Sequence, residues 1–303
     1  MALTTALIKI YLLVMPYLYT SDAYSPSEIA RRVEQVGVLK AKARVVKTAM
    51  LGILAGGFIG LGALFYTFIM ADSSLSPATA AMLGGVFFGS GYIIAILAGS
   101  EVFTSNNLLA MALAARKITC FQLMRNWGIV LIANFIGAMC LILLFMLSGL
   151  MSSMDGAVGE AAYRMGAAKA ECSFIEMFAR AVLGNQFVCI AVWISLGGRS
   201  VTDKVIGMLF PLTALGALSL EHVVASLYYL PRSLLIEWFY PQYVCPDLPL
   251  LTLSMIGEHL LAVTLGNIIG GSLMVALFYH IIYRRHPEDP DDDHPLDNED
   301  ADA

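Results

Sequence analysis

The stretch LAGSEVFTSNN, residues 97–107, breaks a hydrophobic run otherwise long enough to cross a bilayer. Residues 80–98 before it are almost wholly apolar, and residues 108–115 after it are apolar again. Backbone that leaves a helix at bilayer depth strands N–H and C=O groups, and is tolerated only where protein buries it or water reaches it. An ionisable side chain at that depth is costly, so Glu101 marks a functional region. Thr104 and Ser105 stand where a helix should restart, where a hydroxyl can cap the new N-terminus. The free N–H groups and positive dipole end there attract an anion.

Composition agrees with a membrane-embedded chain. Of 303 residues, 58% are hydrophobic and 14% charged, against about 25% charged in soluble domains. The formal charge of −5 is local: residues 286–303 hold 9 of the 23 acids, leaving 18 basic against 14 acidic residues elsewhere. That proline-containing acidic run is expected to be a disordered tail. No basic patch lies outside the membrane-flanking segments, so nucleic acid is not an expected partner. The five cysteines show no metal-ligand spacing, and neither a metal nor another cofactor is expected. Cys172 and Cys245 fall in loops on one side, which leaves a bridge open.

Residues 1–24 form an apolar extension of uncertain status, and residues 25–44 a polar helix opened by the Ser25/Glu28 capping-box spacing. A channel domain is expected over residues 45–285, with six apolar runs at about 45–70, 79–115, 123–149, 174–198, 203–230 and 257–283. Lys40, Lys42, Arg44, Lys47, Arg116, Lys117, Arg125, Arg199, Lys204, Arg284 and Arg285 gather on one side of these runs. Arg164, Lys169 and Arg232 fall on the other, so both ends of the six-span core are expected in the cytoplasm, with the protein multi-pass in the cell inner membrane.

The fifth run repeats the anomaly of the second, with Ser219, Glu221 and His222 inside it. Spans three and six share an asparagine among small residues, Asn134 and Asn267. The expected fold is therefore all-α: a six-span bundle of two inverted three-span repeats, with a broken helix in each half that places a midplane site. The offset between repeats grows from spans two/five to spans three/six, which fits an amphipathic insertion over residues 231–249. Glycines at four-residue spacing (Gly52, Gly56, Gly60; Gly85, Gly89; Gly266, Gly270) suit close helix packing.

Histidine at the second break can take and release protons near neutrality. Asn185 interrupts span four with an amide that can orient an anion or bond the helix. Lys169 precedes span four and would draw anions to a pore mouth. Glu176 and Arg180 are spaced to pair on one helix face. Phe88, Tyr92, Val102, Phe103, Val188 and Leu215 flank the breaks and would form narrow apolar constrictions.

Together GSEVFTS (99–105), GNQFVCIAVW (184–193), GRS (198–200), Glu221-His222 and VTLGNIIGG (263–271) resemble the formate/nitrite transporter family, over about residues 25–285. The resemblance implies an aquaporin-like six-span protomer, a homopentamer, and one anion pore per protomer. It implies that Thr104 faces His222 with Asn185 beside them, and that Lys169 and Glu221 match the family's lysine and glutamate. The slit positions map to Phe88, Tyr92, Val102, Phe103, Val188 and Leu215, with Glu101, Ser105, Asn134 and Asn267 supporting the broken helices. Departures from the family pattern are Val102 in place of leucine, Gln186 in place of an apolar residue, and the hydroxyl of Tyr92.

The expected function is passage of small monovalent anions, formate first, with protons as partners through His222. Nitrite, hydrosulfide or a short carboxylate are alternatives of the same fold. A neutral-solute channel is disfavoured by the absence of paired Asn-Pro-Ala loops, and an intramembrane enzyme by the absence of HExxH or Gly-x-Ser-x-Gly.

Overall fold

A computed structural model describes residues 23–284. The acidic tail and nearly all of the N-terminal extension lie outside the described residues.

Ser25 starts α1 (Pro26–Lys42) with a complete capping box: Ser25 N donates to Glu28 Oε2 at 2.7 Å and Glu28 N to Ser25 Oγ at 3.3 Å. The long apolar helices follow as α2 (Val45–Ala71) and α3 (Pro77–Leu97). After the first break come a 3₁₀ turn (Ser105–Leu109) and the short α4 (Ala110–Ala114), and then α5 (Cys120–Leu147). A connecting helix α6 (Ala157–Ala167) and a 3₁₀ turn (Ala168–Glu171) lead to α7 (Phe174–Gly197). The second broken span is α8 (Val201–Ala217) and α9 (Val223–Phe239). The last begins as α10 (Leu253–Ile268), passes through a π-helical stretch (Ile269–Leu277) and ends as α11 (Phe278–Tyr283).

Five of these helices are long and apolar enough to cross a bilayer: α2, α3, α5, α7 and the continuous run Leu253–Tyr283. The remaining expected run, the fifth, is divided into α8 and α9, each of 17 residues and short of the roughly 20 that a span needs. The most apolar windows of the five are only 39–50% buried. Ile132, Leu144, Leu147 and Phe210 are among many large apolar side chains left exposed, a surface suited to hydrocarbon rather than water.

Helices α2, α3 and α5 pack together, as do α7, α8 and the run from α10, while α3 meets α8 across the two groups. Small residues set these spacings. A Cβ on Gly91 of α3 would lie 2.8 Å from Gly62 N of α2, and one on Gly216 of α8 would lie 2.7 Å from Gly85 Cα of α3. Neither helix pair can admit a side chain there.

Two outer features differ from the sequence expectation. Residues 231–239 are not an excursion. Helix α9 continues through Pro231 to Phe239, and Arg232 is wholly buried rather than in a loop. Its guanidinium donates to Thr67 Oγ1 (2.9 Å) and Ala162 O (2.8 Å) and stacks near Tyr228 and Tyr229. The second feature is α6, which the sequence left in a loop because it is short and carries Gly159 and Gly166. Gly166 is what lets α6 press against Tyr229 O and Ser233 of α9. Glu176 does not pair with Arg180. It turns back to cap Ser173 at 2.7 Å, while Arg180 reaches Cys172 Sγ. All five cysteines, Cys172 and Cys245 included, are free thiols.

Gly91→Leu should force α2 and α3 apart at a cost of about 1–3 kcal/mol or more. Gly57, which has nothing within 4 Å of an added Cβ, should accept leucine. Thermal aggregation of the two purified variants in detergent tests this contrast.

Candidate functional site

Each break begins with the same helix ending. Ser100 N bonds Ala95 O (2.9 Å) and Leu220 N bonds Leu215 O (3.1 Å), with Gly99 (φ +72°) and Ser219 (φ +50°) in the left-handed region. At Ser219 the Cβ makes that conformation cost roughly 1–2 kcal/mol.

An asparagine then closes each break. Asn134 Nδ2 donates to Gly52 O (2.8 Å) and Glu101 O (2.9 Å), and its Oδ1 accepts from Phe103 N (3.0 Å). Asn267 Nδ2 donates to Ala181 O (2.8 Å) and Glu221 O (3.1 Å), and its Oδ1 accepts from Val223 N (2.9 Å). Two stranded backbone groups at each break are thereby satisfied by one amide, which also ties the break to a carbonyl of a neighbouring helix.

Each glutamate meets a lysine. At the α1 end, Lys40 Nζ lies 3.2 Å from Glu101 Oε2, and Asn106 Nδ2 bridges Glu101 (2.6 Å) to Asn126 (2.9 Å). At the α6 end, Lys169 Nζ donates to both oxygens of Glu221, at 2.8 and 2.7 Å. Glu221 Oε2 also lies 3.4 Å from Ser226 Oγ and 3.3 Å from His259 Nε2.

Between the two ends sits a buried plug. A cavity of about 310 Å³ opens at the α6 end, lined by Lys169, Arg180, Tyr229, Phe88, Leu215 and His222 among others. A second of about 220 Å³ opens at the α1 end, lined in part by Lys40, Ser100, Ser105 and Leu108. Tyr92, Val102, Phe103, Thr104 and Val188 line neither cavity and are at most 2% exposed. Phe103 is held edge-on to Trp127.

Thr104 and Ser105 do not cap the restarted helix. Ser105 Oγ donates to Val102 O, and Thr104 Oγ1 lies 2.7 Å from both Tyr92 Oη and His222 Nε2. The cap falls instead at the second break, where His222 Nδ1 accepts from Ala225 N at 3.1 Å. A nitrogen that accepts carries no proton, so the neutral ring keeps its proton on Nε2, directed at Thr104. Asn185 does not present its N–H groups to this contact. Its Nδ2 faces Asn267 O (2.7 Å), Asn107 Oδ1 (2.8 Å) and Thr104 O (3.3 Å), which ties α7 to the first break. Gln186 turns to Met274. Among the described residues no cluster of three or more His, Cys, Asp or Glu side chains is placed to hold a metal ion.

A model of the formate/nitrite transporter family matches residues 27–281. The chain belongs to that family. It is 35% identical over 273 residues to the formate channel FocA of Escherichia coli K12, covering 87% of this chain and 96% of that one. It is 32% identical over 278 residues to the formate channel FocA of Haemophilus influenzae, covering 88% and 97%. A solved pentameric formate channel with formate bound superposes with a TM-score of 0.72 at 31% identity, covering 79% of this chain and 97% of that one.

In this formate/nitrite transporter family member the sequence reading missed Lys40, Asn106, Asn126, Ser226 and His259. The signal for the last four was the repeat itself. Asn126 and His259 each precede the break-closing asparagine by eight residues, and Asn106 and Ser226 each follow the break glutamate by five.

Asn134→Leu and Asn267→Leu should each strand two buried backbone groups of a break, at about 1–3 kcal/mol per group. Loss of monodisperse protein on size-exclusion chromatography is the expected readout. Thr104→Val, which keeps the shape, should still yield folded protein.

Proposed function

We propose that the chain is a membrane channel for small monovalent anions, formate first, with Thr104 and His222 as the point of passage. The observation that carries this reading is the buried contact between the two cavities, where His222 Nε2–H meets the exchangeable hydroxyl of Thr104. The names of the formate channels to which the chain is similar support formate ahead of nitrite.

A bare anion in a low-dielectric plug costs several kcal/mol even after relaxation. Arg180, exposed in the α6-end cavity where Lys169 is already held by Glu221, raises anion concentration there. Phe88, Leu215, Val102 and Val188 strip its water. At the plug the anion accepts the Nε2–H of His222 in place of Thr104, and the Thr104 and Tyr92 hydroxyls turn to serve it. Passage with a proton asks more of His222. The neutral ring has one proton, so transfer to the anion requires a second at Nδ1, which displaces the Ala225 N–H. Hydrogen-bonded anion passage is therefore the resting chemistry, and proton-linked passage its acid-favoured form.

The α1 end carries Lys42, Arg44, Lys47, Lys117, Arg125 and Lys204, which supports a cytoplasmic placement of that end in an inner membrane. The pentamer of the solved relative supports a homopentamer here, one pore per copy.

Labelled formate uptake into proteoliposomes, with nitrite as competitor, tests the reading. His222→Phe should cut formate flux by roughly 10-fold or more, the loss of one charge-assisted hydrogen bond. His222→Asn, which retains a donor, should conduct with its acid dependence reduced. Wild-type flux left unchanged by both substitutions refutes the role of His222.

A further inference from the structure

The two breaks share a frame of glutamate, lysine and closing asparagine, and they differ in the groups set around it: Val102, Asn106 and Asn126 at one, His222, Ser226 and His259 at the other. Eight residues before the closing asparagine, the α1-end cluster has Asn126 and the α6-end cluster has His259. Both are buried, at 2% and 1% exposure, and both sit behind the glutamate of their break. Asn126 is bonded to Asn106 and, through its Nδ2, to Lys40 O. His259 Nε2 lies 3.0 Å from Ser226 Oγ and 3.3 Å from Glu221 Oε2, and its Nδ1 has no hydrogen-bond partner in the protein.

A lone pair on Nε2 would face the Glu221 carboxylate. The neutral ring therefore carries its proton on Nε2, which leaves the Nδ1 lone pair unused. His259 can accept a proton at Nδ1 without giving up any bond, and its Nε2 lies 3.3 Å from the Glu221 carboxylate. His222 cannot, because its Nδ1 already accepts from Ala225 N.

We propose that His259 is a proton-binding positioning residue of the pore, which sets the charge of the Lys169–Glu221 pair that an entering anion meets. The inference rests on the anion-channel reading and names the regulation of the same site. With His259 neutral, Lys169 and Glu221 compensate one another. With His259 protonated, the three groups carry one net positive charge, and Glu221 is shared between two cations. Lys169 is then less fully occupied, and the position beside His222 holds an anion more strongly.

The elements packed on α10 are α7, α9, the π-helical stretch and the turn Ala168–Glu171. Their other charged groups lie elsewhere. Glu171, Glu176 and Arg180 are exposed, Glu237 accepts from Leu251 N, and Arg232 is bound to Thr67 and Ala162. Glu258, on α10 itself, is also exposed. Tyr229 of α9 faces Lys169, its ring centre 5.7 Å from Nζ. Among the described residues His259 pairs with Glu221, whose carboxylate also holds Lys169. The α1-end cluster, with an amide at the matching place, offers no such titration. Acid is sensed at one end of the pore.

The test compares full-length wild-type protein with His259→Asn, His259→Gln and the double variant Ser226→Asn/His259→Asn, which copies the α1-end pair. Formate flux is measured in proteoliposomes at about pH 5.5 and pH 7.5, a range that spans histidine titration. The substrate's own protonation is common to all four proteins and cancels in the comparison. All variants should conduct at the higher pH. Their flux ratio between the two conditions should fall by roughly 10-fold relative to wild type, the effect of one charge at about 10 Å in an effective dielectric near 20. His259→Gln, which keeps a donor towards Glu221, separates titration from simple support: a restored acid response in that variant overturns the proposal. An acid response unchanged in all three variants, in protein that conducts, overturns the role of His259 alone. Absence of wild-type flux overturns the channel reading and this inference with it.

Discussion

Every structural choice near the centre of this protein follows from the need to satisfy backbone polar groups that leave a helix inside a membrane. Two asparagines meet that need. Asn134 and Asn267 each supply two donors and one acceptor to a break, and each links the broken span to a neighbouring helix, through Gly52 O or Ala181 O. With those amides in place the chain can present a side chain where a regular helix would present only its own turns. His222 and Thr104 are then held at the meeting point of the two half-spans.

The charged groups depend on the same frame. A glutamate follows each helix ending, and each is held by a lysine from outside the broken span: Lys40 from α1 and Lys169 from the turn after α6. These pairs tie peripheral elements to the core and leave few uncompensated charges near the plug. The buried Glu34 works likewise at the α1 end, where it takes Lys117 and Arg284. What differs between the halves is the group after the glutamate, Val102 or His222, and the groups behind it, and chemical individuality has been added there without disturbing the frame.

The six apolar runs, the two breaks and the recurrence of Asn134 as Asn267 were legible because they rest on hydropathy, on the cost of polar groups in lipid and on internal repetition. The meeting of residues 104 and 222, which are 118 apart, came from resemblance rather than from spacing. Other features were hidden for physical reasons. A hydroxyl at a restarting helix reads as a cap, yet Thr104 is turned away by better partners, and the capping falls to a histidine. Arg232 reads as a loop cation because it follows a proline, whereas here the helix tolerates Pro231 and buries the guanidinium among carbonyl, hydroxyl and rings. Lys40 lies 61 residues before the carboxylate it binds, and no local pattern announces such a partner.

The half-exposed apolar helices carry a consequence for how this protein tolerates change. Where the surrounding medium is as greasy as the interior, exchanging one bulky aliphatic residue for another on the outside alters little. Position is specified instead by what is small or amidic: Gly62 against Gly91, Gly85 against Gly216, and the two closing asparagines. A map of permitted substitutions would therefore look inverted beside that of a water-soluble protein, permissive at leucine and phenylalanine and intolerant at glycine and asparagine.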